Sequence, residues 1–167
     1  MRVSGDAEGA PVTALEEAPI PSVVVVKPWR DPLVERCGFP VNSPYVETAW
    51  LPILGPSATL ALRRLGLLAT ARPEGVEVDV GDLAADLGLG RGTGRNSIIA
   101  RTLRRLETFG MAHWRGDELE IRTVVAPLPA RHAERLSPGA AAVHRQLVRL
   151  QQCNGDRALK RPGGLSL

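Results

Sequence analysis

Apolar residues along this chain recur with two periods. From Ser57 on, Ala58, Ala61, Leu62, Leu65, Leu68 and Ala69 fall at i, i+3, i+4, i+7, i+10 and i+11, the single stripe of an amphipathic helix. The same spacing returns in Val80, Leu83, Ala84 and Leu87, and again in Ile99, Leu103 and Leu106, with Thr102 and Phe109 beside them. Between the first two helices VEVDV (76–80) alternates, which predicts a short strand. In MAHWRGDELEIRT (111–123), Leu119 and Ile121 alternate with Glu120 and Arg122, which predicts two short strands around a Gly116-Asp117 turn. A last helix or helix pair is expected over about 130–152, where Leu136, Ala140, Val143, Leu147 and Leu150 are spaced 4, 3, 4, 3. That stripe is shorter than the three or four heptads of a stable coiled coil. It either packs back on the first helix or, as the weaker alternative, makes a homodimer.

Punctuation residues place the ends. Ser43-Pro44 reads as an N-cap followed by proline at the first helical position, so a helix should run through YVETAW to about Leu54 and break at Gly55-Pro56. Asp79 is placed to cap the second long helix, with Asp82 in its first turn and Gly88 at a left-handed C-cap. Asn96 or Ser97 caps the third, and Gly110 ends it. Residues 1–22 are rich in Pro, Ala and Glu without a period and are expected to be disordered. VVVVKPW (23–29) reads as a short edge strand or as an arm packed on the domain, and residues 30–43 as an ordered loop. The expected organisation is an arm over 1–28, a domain over 29–128, a helical extension over 129–153 and a disordered basic tail over 154–167. The fold class is mainly α with a small β-hairpin, α+β.

Composition narrows this picture. Aromatic residues are 4 % of a chain that is 44 % hydrophobic, so the core must be built from Leu, Ile, Val and Ala. The net charge of +3 decides little, but its distribution is uneven. Residues 1–26 hold Arg2 against Asp6, Glu8, Glu16 and Glu17, whereas residues 91–115 hold six arginines against Glu107. Such asymmetry points to a polyanionic partner. Only Lys27 and Lys160 are lysines. A preference for arginine also follows from a GC-rich genome, so arginine number alone is weak support. Cys37 and Cys153 are far apart and outside any CxxC or Cys/His cluster, which suits two free thiols in a reducing cytoplasm. No apolar h-region follows a basic start, and no apolar run nears the roughly 20 residues of a membrane helix. The expectation is a cytoplasmic protein with no membrane partner.

GLGRGTGR (88–95) raises the question of a phosphate-cradling loop. A dinucleotide fingerprint would need a third glycine where Thr93 or Arg95 stands, and a Walker loop needs a lysine that is not there. The segment before it reads as a helix, where a nucleotide loop follows a strand. The remaining reading is a lengthened, basic turn between two helices.

DLAADLGLG (82–90) and NSIIARTLRRLETFGMAHW (96–114), with the LRRLETFG ending, resemble the second and third helices and wing entry of winged helix-turn-helix domains of bacterial regulators. SPYVETAWLPILGPSATLALRRL (43–65) is similar to the first helix of such domains in replication-initiation and regulatory proteins. The resemblance covers about 43–128. One departure is the turn of about eight residues where three or four are usual. The resemblance implies a DNA-binding protein, a transcriptional regulator that lays the helix at about 96–109 in the major groove of double-stranded DNA. With Ile99 at the centre of the buried face, Ser97, Arg101, Arg104 and Thr108 fall on the opposite side and Arg105 on a flank. Asn96, Ser97 and Arg101 are then placed for base edges, and Arg91, Arg95, Arg104 and Arg105 for phosphates. His113 and Arg115 flank the wing tip, whose Asp117 and Glu118 argue against a strongly gripping wing.

Against this stands the bland alternative that an arginine-rich helix face is only solvated. The same domain type also serves as a protein-protein interaction module in replication or regulatory complexes. On that alternative the acidic arm is a partner-binding segment or an intramolecular mask for the basic face. His113, His132 and His144 lie in different elements without metal spacing, and GPSAT does not match a nucleophile elbow. No enzyme, metal or cofactor is expected.

Overall fold

The computed structural model describes residues 19–159, with side chains through residue 152. It is a mixed α+β structure around a single hydrophobic cluster. Strand β1 (Val23–Trp29) lies between β3 (Val76–Asp79) and β5 (Glu118–Arg122), with β4 (Ala112–Arg115) outside β5, in the order β3-β1-β5-β4. β1 runs antiparallel to β3, with Val26 opposite Val76. It runs parallel to β5, with Val25 opposite Glu118 and Trp29 opposite Arg122.

This corrects the expectation of an edge strand or packed arm, since β1 is an interior strand. The boundary expected between residues 28 and 29 falls inside it. Four consecutive valines favour the pleated backbone, and Val24 and Val26 point inward and are fully buried with Leu119 and Ile121. Pro28 is tolerated for a reason of geometry. Val25 donates its N–H toward the hairpin, to the Asp117 carbonyl at 3.2 Å. By alternation the missing N–H of Pro28 falls on the β3 side, where pairing has already ended at Val26.

Residues 30–43, expected as a loop, hold helix α1 (Pro32–Cys37) and the two-residue strand β2 (Phe39–Pro40), which pairs with β6 (Val124–Val125). The Asp31 carboxylate caps α1 by accepting from the N–H groups of Leu33 and Val34. The Ser43 cap does not form: its Oγ is buried without a partner among the described residues, and its carbonyl accepts from the Val46 N–H instead. Val46–Trp50 is a π-helical turn leading into α2 (Leu51–Leu54). Pro52 offers no N–H to an α-helical ladder at that point, and the backbone widens there. Gly55, at φ +81°, breaks the chain before α3 (Pro56–Ala71). Of the stripe expected along α3, Ala58, Ala61, Leu62, Leu65 and Ala69 are buried and Leu68 is half-buried.

Helix α4 (Val80–Asp86) begins at the Asp79 cap, and α5 (Ile98–Thr108) at Ser97. Ile99, Leu103 and Leu106 of α5 are buried against α3 and α4. Gly88 and Gly110 take the left-handed conformation expected of them. After α6 (Ala130–Ala133), α7 (Pro138–Leu159) runs on through 154–159, which corrects the tail expected to be disordered from Asn154; residues 160–167 lie outside the described part. The expected 4-3-4-3 stripe splits. Leu136 is buried and Ala140 and Leu147 pack on the core, whereas Val143 and Leu150 are 41 % and 53 % exposed. Among the described residues no helix is long and apolar enough to cross a membrane.

Candidate nucleic-acid interface

The surface around the start of α5 is built from the lengthened turn and the helix face opposite its buried stripe. The Ser97 hydroxyl accepts from the Ala100 N–H at 3.2 Å and fixes where the helix starts. The hydroxyl is thereby engaged in the cap, and Ser97 is half-buried. Asn96, the alternative cap, is exposed instead. Arg95 and Arg101 are exposed, and neither guanidinium has a hydrogen-bond partner among the described residues.

The other expected contacts are already engaged. Arg91 pairs with Asp82 at 2.8 Å, with both side chains well exposed. Water and salt screen such a pair heavily, so it yields readily to a stronger anion. Arg104 folds back along its helix to the carbonyls of Ala100 and Arg95, which holds the end of the turn against α5. Arg105 is the clearest departure from the expected phosphate role. Its Nε and Nη2 donate to the carbonyls of Leu54 and Ile53 at 2.6 and 2.7 Å. These carbonyls end α2 and have no helical partners, so the guanidinium caps that helix and sets its distance from α5. The ring of Phe109 lies 5.2 Å from the same guanidinium. Arg101 and Arg105 line a shallow groove of about 280 Å³ with Gly55, Ser57, Ile98 and Thr102. Ser57 was not among the expected residues; its signal is the Gly55-Pro56 break, which leaves the first turn of α3 beside α5.

His113 and Arg115 are not part of this surface. They alternate with Ala112 and Trp114 along β4, and their cross-strand partners are Glu120 and Glu118. That face of the sheet is turned away from the core and carries paired charges. Arg115 donates to Glu120 at 3.0 Å, and Lys27 pairs with Glu118. Arg122 lies 4.0 Å from the Trp29 ring and pairs with Asp31 at 3.3 Å. The Val34 N–H, with Arg122 behind it, holds the Asp31 carboxyl below its ordinary range despite some desolvation. The His113 ring sits 5.7 Å from Trp29. The Asp117 carbonyl is bound by β1, so the hairpin is stitched along its length and does not project freely.

The structure thus gathers Arg91, Arg95, Asn96, Ser97 and Arg104 at one end of α5, with Arg101 one turn on, and separates His113 and Arg115 from them. Among the described residues, no three His, Cys, Asp or Glu side chains form a group able to hold a metal ion. Comparison of the chain with protein-family models, with curated proteins and with solved structures gives no match in any of the three.

Proposed function

We propose that this chain is a cytoplasmic DNA-binding protein of the winged helix-turn-helix kind, a bacterial transcriptional regulator that reads duplex DNA with α5. The order α3, β3, α4, α5, then the β4–β5 hairpin supports this reading, and β1 is an added strand between β3 and the hairpin. The observation that carries it is the pair of guanidiniums without partners among the described residues, Arg95 and Arg101, beside Asn96 at the capped start of an eleven-residue helix whose opposite face is buried. A free arginine on such a face suits bidentate contact with guanine, and its neighbours suit phosphates. Arg105 serves in this reading as a support for the helix. The protein has no catalytic role.

The test is binding to duplex DNA across a salt series. Arg95→Ala should weaken binding to all sequences and reduce the salt slope by about one. Arg101→Ala should cost affinity mainly for the preferred sequence. Undetectable binding at low salt would overturn the reading.

A second reading, a module for protein partners in a replication or regulatory complex, is favoured by one observation: the charges on the hairpin face are already paired within the chain. A partner retained through nuclease treatment and high salt would support it. In either case the exposed Val143 and Leu150, one heptad apart on α7, are the residues through which a homodimer would form.

A further inference from the structure

The point at which the N-terminal segment enters the fold bears on the same surface. The Ser22 carbonyl accepts from the Val80 N–H at 2.9 Å, so the chain enters β1 at the first residue of α4. The next residue, Gly81, lies against the lengthened turn: a Cβ built on it would be 3.7 Å from both the Arg91 carbonyl and the Thr93 methyl. Ser22, three residues after the first described residue, therefore meets the domain one residue away from the turn that carries Arg91 and Arg95. Residues 1–18 hold Asp6, Glu8, Glu16 and Glu17 against the single Arg2.

Length and charge both permit contact. Glu17 is five residues before Ser22, and an extended chain of that length reaches up to about 18 Å. The path from Ser22 through Val80, Gly81 and Thr93 to Arg95 is of the same order. At the point of entry Asp79 is occupied as the α4 cap and Asp82 by Arg91. Both carboxylates repel those of the segment. Of the arginines in the turn and along α5, Arg95 and, one turn into the helix, Arg101 have no partner among the described residues.

We propose that the acidic segment 1–18 is an intramolecular cover for the arginine face at the start of α5, competing with an external polyanion for Arg95 and Arg101. The proposal rests on the DNA-binding reading for its consequence but not for its existence. A tethered anion of low intrinsic affinity competes effectively because its local concentration is set by the short connection. Screening by salt weakens both the cover and the competitor.

Two measurements test it on the full chain. In the first, a spin label is placed on Ala7→Cys, with Cys37→Ser and Cys153→Ser, and no DNA is present. At low salt the amides of residues 92–98 should broaden while those of α7 at 138–148 do not, and the effect should fade at high salt. Broadening that is absent, uniform or confined to α7 overturns the cover, whatever the protein binds. In the second, Glu16→Gln with Glu17→Gln is compared with Glu74→Gln and Glu134→Gln, which changes the net charge equally at exposed acids elsewhere. The first pair should tighten binding of a duplex probe at least about fivefold over the second, the lower end of usual coupling between sites. The gain should vanish when Arg95→Ala and Arg101→Ala are added. Equal affinities of the two charge-matched pairs overturn the competition. A protein that shows the broadening but binds no duplex keeps the cover and sinks the DNA reading.

Discussion

The Tyr45 hydroxyl lies 2.9 Å from Nδ1 of His144, and through this contact α7 is fastened to the body of the domain. The same hydroxyl accepts from the Leu128 N–H at 2.8 Å, and the Tyr45 ring stacks on Phe39 with centroids 3.7 Å apart. With its proton on Nε2, a neutral His144 accepts at Nδ1 the hydrogen bond that the Tyr45 O–H donates, and both groups are satisfied. Burial, with Arg145 adding to it, holds the His144 imidazole below its ordinary 6.5. The unfolded chain therefore takes up this proton first as pH falls. The stability this group contributes is complete above 6.5 and is lost as pH falls from there through the lower folded-state value. Burial pushes the Tyr45 hydroxyl above 10.0, so its contribution is complete below 10.0 and is lost as pH rises through the higher folded-state value. Urea midpoints measured at about pH 7.5 and 5.5 should separate wild type from His144→Gln, the wild type losing more on acidification. Equal losses would show that the imidazole is not linked to folding.

The two arginines that share the groove beside α5 should respond in opposite ways to truncation. Arg101→Ala removes an exposed side chain with no partner among the described residues, so thermal stability should stay within about 0.5 kcal/mol of wild type while DNA affinity falls. Arg105→Ala frees the Ile53 and Leu54 carbonyls that the guanidinium caps. The expected cost is about 1 kcal/mol, below the usual range for hydrogen bonds to charged groups because the side chain is exposed. Thermal melts beside binding curves for the two variants decide the matter. A melting temperature unchanged by Arg105→Ala would remove its supporting role.

This contrast shows how far the sequence can be read. The stripes of α3, α4 and α5, the Asp79 and Ser97 caps and the Gly116 turn were legible because each is fixed by neighbours within a few residues. Projection around α5 also put Arg101 on the exposed side. It could not show that Arg105, on the flank, would meet carbonyls some fifty positions away in sequence, because that contact depends on where α2 ends in space. The place of β1 was hidden for the same reason: an edge and an interior strand of four valines have the same local pattern, and only the partners differ. The π-helical turn before Pro52 was not legible either: its extra residue makes the buried positions Tyr45, Ala49 and Ile53 recur every four residues, and a stretch this short does not separate that spacing from an α-helical one.

Gly38 is expected to resist substitution although its φ of −92° suits any residue. A Cβ there would lie 2.5 Å from the carbonyl oxygens of both Val34 and Val125. Neither backbone can retreat easily, since Val34 belongs to α1 and Val125 is paired with Phe39. Gly38→Ala should therefore destabilise by about 1–3 kcal/mol, as overpacking does. It should also weaken the contact of α7, because Gln151 donates to the Gly38 carbonyl at 2.9 Å. Denaturant unfolding measures the first effect, and amide exchange in α7 the second. A variant as stable as wild type would mean that the two backbones are looser than the structure has them.

The most direct check on the architecture concerns where the folded domain begins. If β1 is an interior strand, the chain from residue 19 on should fold like the whole, whereas a chain lacking β1 should not. At high salt, where the charges of the segment are screened, removing residues 1–18 takes away none of the described core, so the melting temperature should be unchanged within error. Removing residues 1–29 strips β3 and β5 of their shared partner and exposes the inner faces of Leu119 and Ile121, both fully buried in the intact fold. Val24 and Val26 alone account for about 3–6 kcal/mol of apolar burial, comparable to the whole stability of many small domains. Val26→Asp should have the same consequence as the longer truncation, since it places an unpaired carboxylate at a fully buried position. Circular dichroism and cooperative melting of the three chains give the answer. A folded, cooperative protein lacking residues 1–29 would return β1 to the status of an accessory arm.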